Sequence, residues 1–313
     1  MKTLVTGAAG FIGSHLVEKL LAAGHEVGGV DNFLDNYPRH FKEHNLALFS
    51  GQPNFTFVGQ DLLRLDLKSL LRGVEIVFHL AAQPGVRSSW GSEFNRYTEN
   101  NITATQLLLE AAKESELAKF VYASTSSVYG DTDDLPMREE GGTRPVSPYG
   151  ATKLAAEHLC HLYCKAFGVP TVALRFFTVY GPRQRPDMFF HIFMRALRRG
   201  EEVPLYDDGE QTRDFTFCGD IVDGILGAAA YPGHGEVFNL GGGSQVSLLH
   251  AIALAEKVSG RQAKLKRFAR QKGDVRHTSA RIDQARSRLG YAPKVGLEEG
   301  LAAEWDWICS LQD

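Results

Sequence analysis

The sequence TGAAGFIG, residues 6–13, lies between a short β-branched segment and a helical pattern of apolar residues. Its glycines have the spacing G-x-x-G-x-x-G, which lets a peptide backbone approach a pyrophosphate closely. The N-terminus of the helix that comes next supplies free N–H groups and a partial positive charge. The stretch therefore predicts a strand–turn–helix unit that binds the phosphates of a dinucleotide.

Acidic residues follow the second and third predicted strands. Asp31 comes 18 residues after Gly13, where a carboxylate holds the 2′-hydroxyl of an adenosine ribose. A carboxylate there would repel the 2′-phosphate of NADP, so NAD is the expected cofactor. Asp61 is placed to accept a hydrogen bond from the adenine amino group. Capping of the next helix is the alternative role for both aspartates.

Segments with strand and helix character alternate through the first half of the chain, which predicts a parallel sheet covered by helices on both faces. The expected fold class is α/β, a Rossmann-type doubly wound parallel sheet with a smaller, mixed C-terminal substrate-binding domain. The predicted strands of the main sheet are Thr3–Thr6, Glu26–Val30, Phe55–Val58, Ile76–Leu80, Phe120–Ala123, Thr171–Phe177 and Phe238–Leu240.

Proline, glycine and arginine cluster from residue 178 onward, and the predicted helices become shorter. We expect residues 1–177 to form the NAD-binding domain, with about 212–242 returning to it. Residues 178–211 and 243–313 then form the substrate-binding domain. The charged stretch Arg261–Arg281 is expected to be a solvated surface loop, with the framing of a pocket as the alternative. Helices are predicted from Phe11 to a stop at Gly24 and over Ile102–Lys113, Tyr149–Phe167, Phe189–Arg199, Asp220–Ala230, Leu248–Ser259 and Leu297–Ile308.

The bulk composition is that of an ordinary globular protein. Of 313 residues 43% are apolar and 23% charged, and the net charge of −3 leaves no electrostatic footprint for nucleic acid or anionic lipid. No apolar stretch reaches the ~18 residues of a membrane span, and glycines interrupt the N-terminal segment where a signal peptide needs an apolar core.

Four cysteines in so long a chain do not make a disulfide framework, so a reducing cytoplasm is the expected location. Histidines and cysteines crowd the predicted helix 149–167. Their spacing on one helix favours packing over zinc binding, so no metal is expected at His158, Cys160, His161 and Cys164.

Tyr149 and Lys153 stand four residues apart on a predicted helix and therefore share one face. The segment ASTSSVYG, residues 123–130, places Thr125 at the carboxyl end of the fifth strand, where ligands bind in a doubly wound sheet. A phenol with a pKa of about 10 is a weak base at neutral pH, and a nearby ammonium lowers that pKa. We expect Thr125 to orient a substrate hydroxyl while Tyr149 takes its proton and a hydride leaves for NAD. A strand-end turn with local caps is the alternative for Thr125, Ser126 and Ser127.

Taken together, TGAAGFIGSH, Asp31, STSSVYG, SPYGATK and RFFTVYG resemble the extended short-chain dehydrogenase/reductase family that acts on nucleotide sugars. The resemblance covers essentially the whole chain, and LAAQPGVRSSW and FFTVYGPRQRPDM are most similar to the UDP-glucuronate 4-epimerase branch. It implies catalytic roles for Thr125, Tyr149 and Lys153, and NAD that stays tightly bound and is regenerated in each cycle. It also implies a homodimer through a four-helix bundle, built by the helices near Asn101–Lys113 and Tyr149–Phe167.

The same resemblance implies a set of cofactor contacts along the carboxyl edge of the sheet. They comprise Gly7, Gly10, Phe11, Ile12, Gly13, Asp31, Asn32, Asp61, Leu62, Leu80, Ala81, Ala82, Gln83, Asn100, Ser124, Tyr149 and Lys153.

Members of the family differ in the step that comes after oxidation at carbon 4 of the sugar. Dehydratases and decarboxylases carry acidic residues beside the catalytic threonine, because elimination needs an additional base and acid. Residues 124–130 contain no carboxylate. This favours epimerisation, in which a 4-keto intermediate turns over in the pocket and takes its hydride back on the other face. The expected reaction interconverts UDP-glucuronate and UDP-galacturonate.

Thr178 is expected to lie at carbon 6 of the sugar. UDP-galactose 4-epimerases typically have asparagine there, whereas uronate epimerases have threonine. The hydroxyl groups of Ser126, Ser127 and Thr178 suit a carboxylate, and Arg185 or Arg87 would add a charged partner. These donors would hold the carboxylate in the ring plane, where loss of CO₂ is poorly aligned. The family pattern adds Tyr206 near the uracil, Arg213 on the diphosphate, and contacts from Pro84, Gly85, Met188, Gln271 and Asp274.

Departures from the family pattern at Cys218, Gly219 and Arg281 leave the substrate open. One alternative is a UDP-glucose/UDP-galactose 4-epimerase, and another is a nucleotide-sugar decarboxylase or dehydratase, or a net oxidoreductase, that releases CO₂ or consumes free NAD. A non-catalytic NAD-binding scaffold is a third class. The intact set of Thr125, Tyr149 and Lys153 argues against it.

Overall fold

Seven parallel strands form the central sheet of the computed structural model, which describes residues 1–269 and 271–311. Numbering strands in chain order, the sheet order is β11-β6-β5-β4-β1-β2-β3. This is the doubly wound parallel sheet that the sequence predicts, with Phe238–Leu240 returning to its edge. The strands are β1 Lys2–Thr6, β2 Glu26–Val30, β3 Phe55–Val58, β4 Ile76–His79, β5 Lys119–Thr125, β6 Thr171–Phe176, β7 Thr178–Tyr180, β8 Glu202–Tyr206, β9 Thr212–Arg213, β10 Phe215–Phe217, β11 Glu236–Leu240, β12 Val246–Ser247 and β13 Lys264–Phe268.

Helices cover both faces of the sheet because successive strand residues point in opposite directions. Val5 and Val121 belong to a core cluster with residues of α1 and α8, while Leu4 and Phe120 belong to a second cluster with residues of α5 and α6. The α-helices are α1 Phe11–Ala22, α2 Arg39–Ala47, α3 Leu67–Leu70, α4 Phe94–Tyr97, α5 Ala104–Ala112, α6 Pro148–Phe167, α7 Phe189–Arg199, α8 Cys218–Ala230, α9 Leu248–Ser259, α10 Asp283–Leu289 and α11 Leu297–Ser310.

Three two-stranded sheets lie outside the central sheet. β7 pairs with β10 and β8 with β13, both in parallel, while β9 pairs with β12 in antiparallel orientation. A third apolar cluster gathers α7, α9 and α11 around Phe193, Leu205 and Leu301. No helix in the described ranges is long and apolar enough to cross a membrane.

Two local expectations were incomplete. The stretch Arg261–Arg281 is not entirely loop, because Lys264–Phe268 form β13 along β8; Arg270, which also belongs to that stretch, lies outside the described residues. The helix expected over Ile102–Lys113 begins earlier, as a π-helical segment over Thr98–Thr103 that continues into α5. The wider turn places Asn101 in the interior, where its Oδ1 accepts from the Gln83 N–H at 2.8 Å.

Candidate active site

The glycine turn between β1 and α1 packs too closely for side chains. Gly7 has φ +72°, and a Cβ at Gly13 would lie 2.0 Å from the Gly7 carbonyl oxygen. A Cβ at Gly7 itself would lie 2.9 Å from the Ala81 nitrogen, in the loop after β4. Among the described residues no side chain caps the first turn of α1 at Gly10. Its backbone N–H groups are therefore available to an anionic ligand, and the turn fits a dinucleotide pyrophosphate.

A cleft with about 1100 Å³ of empty space, part of it open to solvent, runs along the carboxyl ends of the central strands. All but one of the seventeen residues predicted to contact the cofactor line it. The exception is Gln83, a buried residue whose backbone is held by Asn101. The residues that line it as predicted are Gly7, Gly10, Phe11, Ile12, Gly13, Asp31, Asn32, Asp61, Leu62, Leu80, Ala81, Ala82, Asn100, Ser124, Tyr149 and Lys153.

Asp31 lines this cleft and is held in place by two backbone N–H groups. Its Oδ1 accepts from the Phe33 N–H at 2.8 Å, and its Oδ2 accepts from the Ala9 N–H at 3.3 Å. Asp61 lines the cleft and also caps the short 3₁₀ helix that follows it, because its Oδ1 accepts from the Leu63 N–H at 2.9 Å. Its Oδ2 accepts from Asn32. The two roles considered for Asp61 from the sequence are therefore compatible.

Sequence reasoning missed α2 and its contribution to this end of the cleft. Lys42 is buried, and its Nζ lies 3.5 Å from Asp31 Oδ1 and 5.0 Å from the centre of the Tyr37 ring. Burial lowers the pKa of Lys42, while Asp31 raises it. Within one charged helix, no local signal distinguishes Lys42 from a solvated lysine, because only the tertiary packing buries it.

Tyr149, at the start of α6, lines the cleft, and Thr125 lies at the end of β5. Burial raises the pKa of Tyr149, whereas a hydrogen bond from Thr125 and the charge of Arg185 lower it. Arg185 therefore supplies part of the electrostatic effect that the sequence assigned to Lys153. The Thr125 hydroxyl also lies 3.3 Å from the Ser127 hydroxyl, so the end of β5 presents a short row of donors.

Lys153 is buried one helical turn after Tyr149, with its Nζ 4.3 Å from the centre of the Tyr122 ring. Burial lowers the pKa of Lys153 to about 7, and Cys160 and Glu157 oppose that shift. The ammonium and the neutral amine are thus both accessible near neutral pH. This is a suitable property for a group that stabilises a tyrosinate transiently.

A buried ion pair lies next to Ser124, one of the residues that line the cleft. Arg175 of β6 donates from Nη2 to Glu157 Oε1 at 2.6 Å and from Nε to Oε2 at 3.1 Å. Ser124, which lines the cleft, donates to the same Oε2 at 2.6 Å. Sequence reasoning treated Glu157 and Arg175 only as helix and strand residues.

A second recess adjoins the end of β5. Five residues predicted to bind substrate line it, while Pro84 and Arg185 line the larger cleft beside Tyr149. Arg213 is held there by the backbone, donating to the carbonyls of Thr212, Val275 and Arg276. The five residues are Ser126, Ser127, Thr178, Arg213 and Asp274.

Arg87, Tyr206 and Asp274 form a cluster at the rim. Arg87 Nη2 donates to Asp274 Oδ2 at 2.7 Å, and its guanidinium lies 4.3 Å from the centre of the Tyr206 ring. Gln271 and Asp274 line a further shallow recess. Arg87 is thus placed with the residues expected near the nucleotide, and Arg185 is the arginine that reaches Tyr149.

Met188 and Gly85, which are predicted to contact substrate, make contacts within the protein. Met188 packs against the apolar core that contains Phe177. The carbonyl of Gly85 accepts from the Tyr97 hydroxyl at 2.9 Å. Their contact with substrate stays a prediction. Of the departures from the family pattern, Cys218 is buried beside His15, and exposed Arg281 pairs with Asp283.

The chain belongs to the NAD dependent epimerase/dehydratase family, whose sequence profile matches residues 3–241. It is 48% identical, over 99% of both chains, to a Bacillus subtilis protein described as an uncharacterised UDP-glucose epimerase. It is 38% identical to the UDP-glucuronate 4-epimerase of Thermodesulfobacterium geofontis, over 97% of this chain and 95% of that one. A crystal structure of UDP-glucuronic acid 4-epimerase from Bacillus cereus, in complex with UDP-glucuronic acid and NAD, superposes with a TM-score of 0.97, at 46% identity over all of both chains.

Proposed function

We propose that the protein is an NAD-dependent UDP-glucuronate 4-epimerase. The observation that carries the proposal is that Tyr149, Lys153 and Arg185 line the same cleft as the glycine turn and Asp31, with Thr125 at the end of β5 beside Ser124, which also lines it. The solved relative from Bacillus cereus, which binds UDP-glucuronic acid and NAD, supports the same substrate and cofactor here.

NAD, when bound, would take a hydride from carbon 4 of the sugar and return it, so no net oxidation results. Tyr149 would hold and return the proton of the 4-hydroxyl, and Thr125 would orient that hydroxyl. The ammonium of Lys153 would stabilise the tyrosinate. The glycine turn, Asp31 and Asp61 would hold the pyrophosphate, ribose and adenine respectively.

The carboxylate of the uronate would lie between the hydroxyls of Ser126, Ser127 and Thr178 and the guanidinium of Arg185. The absence of an acidic residue between 124 and 130 supports epimerisation over elimination. Arg213, Tyr206 and Gln271 would bind the UDP moiety. A neutral sugar is the second candidate substrate, favoured by the description of the Bacillus subtilis relative as a UDP-glucose epimerase.

Product identification separates these substrates. The protein is incubated with UDP-glucuronate, UDP-glucose and UDP-xylose separately, and each product is identified by chromatography and NMR. We expect UDP-galacturonate from the first, without release of CO₂ or consumption of free NAD. Preferential turnover of UDP-glucose, or a pentose product, would overturn the assignment. Tyr149→Phe should abolish turnover yet retain NAD, and full activity of that variant would contradict the mechanism.

The assembly and organisation belong to the same proposal. Leu162 and Phe167 are exposed on α6, with 53% and 55% of their surface accessible, and their burial against α5 and α6 of a second copy would complete a four-helix bundle. Leu162→Glu should then convert a dimer to a monomer in light scattering.

We also propose that residues 1–177 with 212–242 form the NAD-binding unit, and that 178–211 with 243–313 form the sugar-binding unit. All four cysteines lie in the described part of the chain and none is in a disulfide, which supports a cytoplasmic location.

A further inference from the structure

Arg183 adopts a backbone conformation that its residue type disfavours. Residues 181–184 form a turn in which the Gln184 N–H donates to the Gly181 carbonyl at 3.1 Å. Pro182 occupies the second position and Arg183 the third, where φ is +66°. This pattern corresponds to a type II turn, which normally has glycine or asparagine at the third position. A strained non-glycine residue that persists in a fold invites a functional explanation.

The side chain of Arg183 explains its retention. It crosses to α1, where Nη2 lies 2.6 Å from Glu18 Oε2 and Nη1 lies 3.4 Å from the Ser14 hydroxyl. One helical turn of α1 also provides His15, whose Nε2 lies 2.8 Å from the Pro182 carbonyl oxygen. The turn is therefore anchored to the helix that begins at the glycine-rich cofactor turn.

The rest of the turn is held from the opposite side. The Gly181 N–H donates to Glu304 of α11 at 2.8 Å. Gln184 accepts two hydrogen bonds from His191 of α7, one from the backbone N–H and one from the ring Nδ1. Glu304, Gln184 and His191 are all buried. These anchors restrict the backbone immediately before Arg185.

Arg185 is the first residue after the turn to reach the cleft. Its Nε and Nη2 each donate to Asp187 at 3.0 Å, and the hydrogen bonds between described residues leave its Nη1 free. Its charge acts on Tyr149. A shift of the turn would therefore move the guanidinium relative to the reacting centre.

We infer that Arg183 is a positioning residue for substrate selection: its ion pair with Glu18 holds the turn that presents Arg185 to the carboxylate on carbon 6 of the sugar. The inference rests on the proposed function, since only a uronate has that carboxylate. Loss of the anchor should weaken binding of the uronate selectively, because the hydroxymethyl group of UDP-glucose makes no charged contact with Arg185.

Arg183→Gly is the sharpest test, because glycine adopts φ +66° without strain and removes only the side-chain anchor. The dissociation constants of UDP-glucuronate and UDP-glucose are measured by calorimetry on the NAD-bound protein, together with KM and kcat for UDP-glucuronate. We expect the uronate to bind about tenfold more weakly, mainly through KM, and UDP-glucose to change less than about twofold. The unfolding midpoint should not fall.

Matched variants separate positioning from general damage. Arg183→Lys keeps a cation near Glu18 and should restore part of the affinity for the uronate. Lys19, which lies on α1 beside Glu18, forms an exposed ion pair with Asp223 of α8. Lys19→Ala removes that pair and should change the dissociation constant of neither ligand. Equal weakening of both ligands by Arg183→Gly, or no weakening of either, would refute the inference. Absence of UDP-glucuronate turnover by the unaltered protein would instead refute the proposed function.

Discussion

Removal of one partner from the buried ion pair between Arg175 and Glu157 should cause a large, measurable loss in the free energy of unfolding. Each side chain is about 95% buried, and three hydrogen bonds engage the guanidinium: two to Glu157 and one to the Glu139 carbonyl at 3.1 Å. Arg175→Met keeps an unbranched side chain but leaves the Glu157 carboxylate with the Ser124 hydroxyl as its remaining donor. Removal of one partner of a buried pair costs about 3–5 kcal/mol, because the other charge stays desolvated.

The expected loss is a substantial fraction of the roughly 5–15 kcal/mol that stabilises a native protein.

Urea unfolding followed by circular dichroism, at a fixed NAD concentration, measures the loss. Arg138→Met is the matched control, because Arg138 forms a surface pair with Asp134, the two side chains being 41% and 62% exposed. That variant should lose little of its stability, because exposed ion pairs contribute little. A free-energy loss for Arg175→Met no larger than that of the control variant would show that the buried pair does not carry this energy.

Three further predictions concern the cleft and its support. Lys153→Met should abolish turnover. Burial lowers the pKa of Lys153 from 10.5 to about 7, so the stability of the unaltered protein relative to this variant should rise by about 2–3 kcal/mol between pH 6 and pH 9. Urea unfolding curves of both proteins at the two pH values test this. Asp31→Asn should weaken NAD binding roughly tenfold or more, because a charged acceptor is lost, and should reduce the difference between the dissociation constants of NAD and NADP. Unchanged dissociation constants for both dinucleotides would contradict the role of Asp31 in binding the ribose. Burial raises the pKa of Glu304 well above its usual range, so Glu304→Gln should cost less than about 1 kcal/mol, whereas Glu304→Leu should cost about 1–3 kcal/mol by leaving the Gly181 N–H unpaired; urea midpoints that rank the two variants in the opposite order would refute a neutral carboxyl.

Much of the cofactor end could be predicted from the sequence because its signals are local. The glycine spacing of residues 7–13 is set by contacts between neighbouring turns of the same segment. Asp31 ends a strand, and the carboxyl ends of parallel strands meet at one edge of the sheet. Tyr149 and Lys153 share a helix face by periodicity alone.

The substrate end could be predicted only as a set of residue types. Hydroxyl groups and arginines in the segments around Thr125 and Thr178 indicated an anionic group, with Arg185 as the first candidate for its charged partner and Arg87 as the second. The fold separates them, since Arg87 pairs with Asp274 at the rim while Arg185 lies near Tyr149. Chain segments far apart in sequence determine that choice.

The alternation of strands and helices, the glycine-rich turn and the spacing of Tyr149 and Lys153 could all be predicted from the sequence alone, because periodicity and spacing are properties of short segments. Three pairings are visible only in the folded chain: Lys42 pairs with Asp31, Glu157 and Arg175 are buried together, and Arg183 bonds to Ser14, 169 residues away. A charged residue has the same local pattern whether it is solvated or buried. Its partner and its pKa depend on which distant segment the fold packs against it.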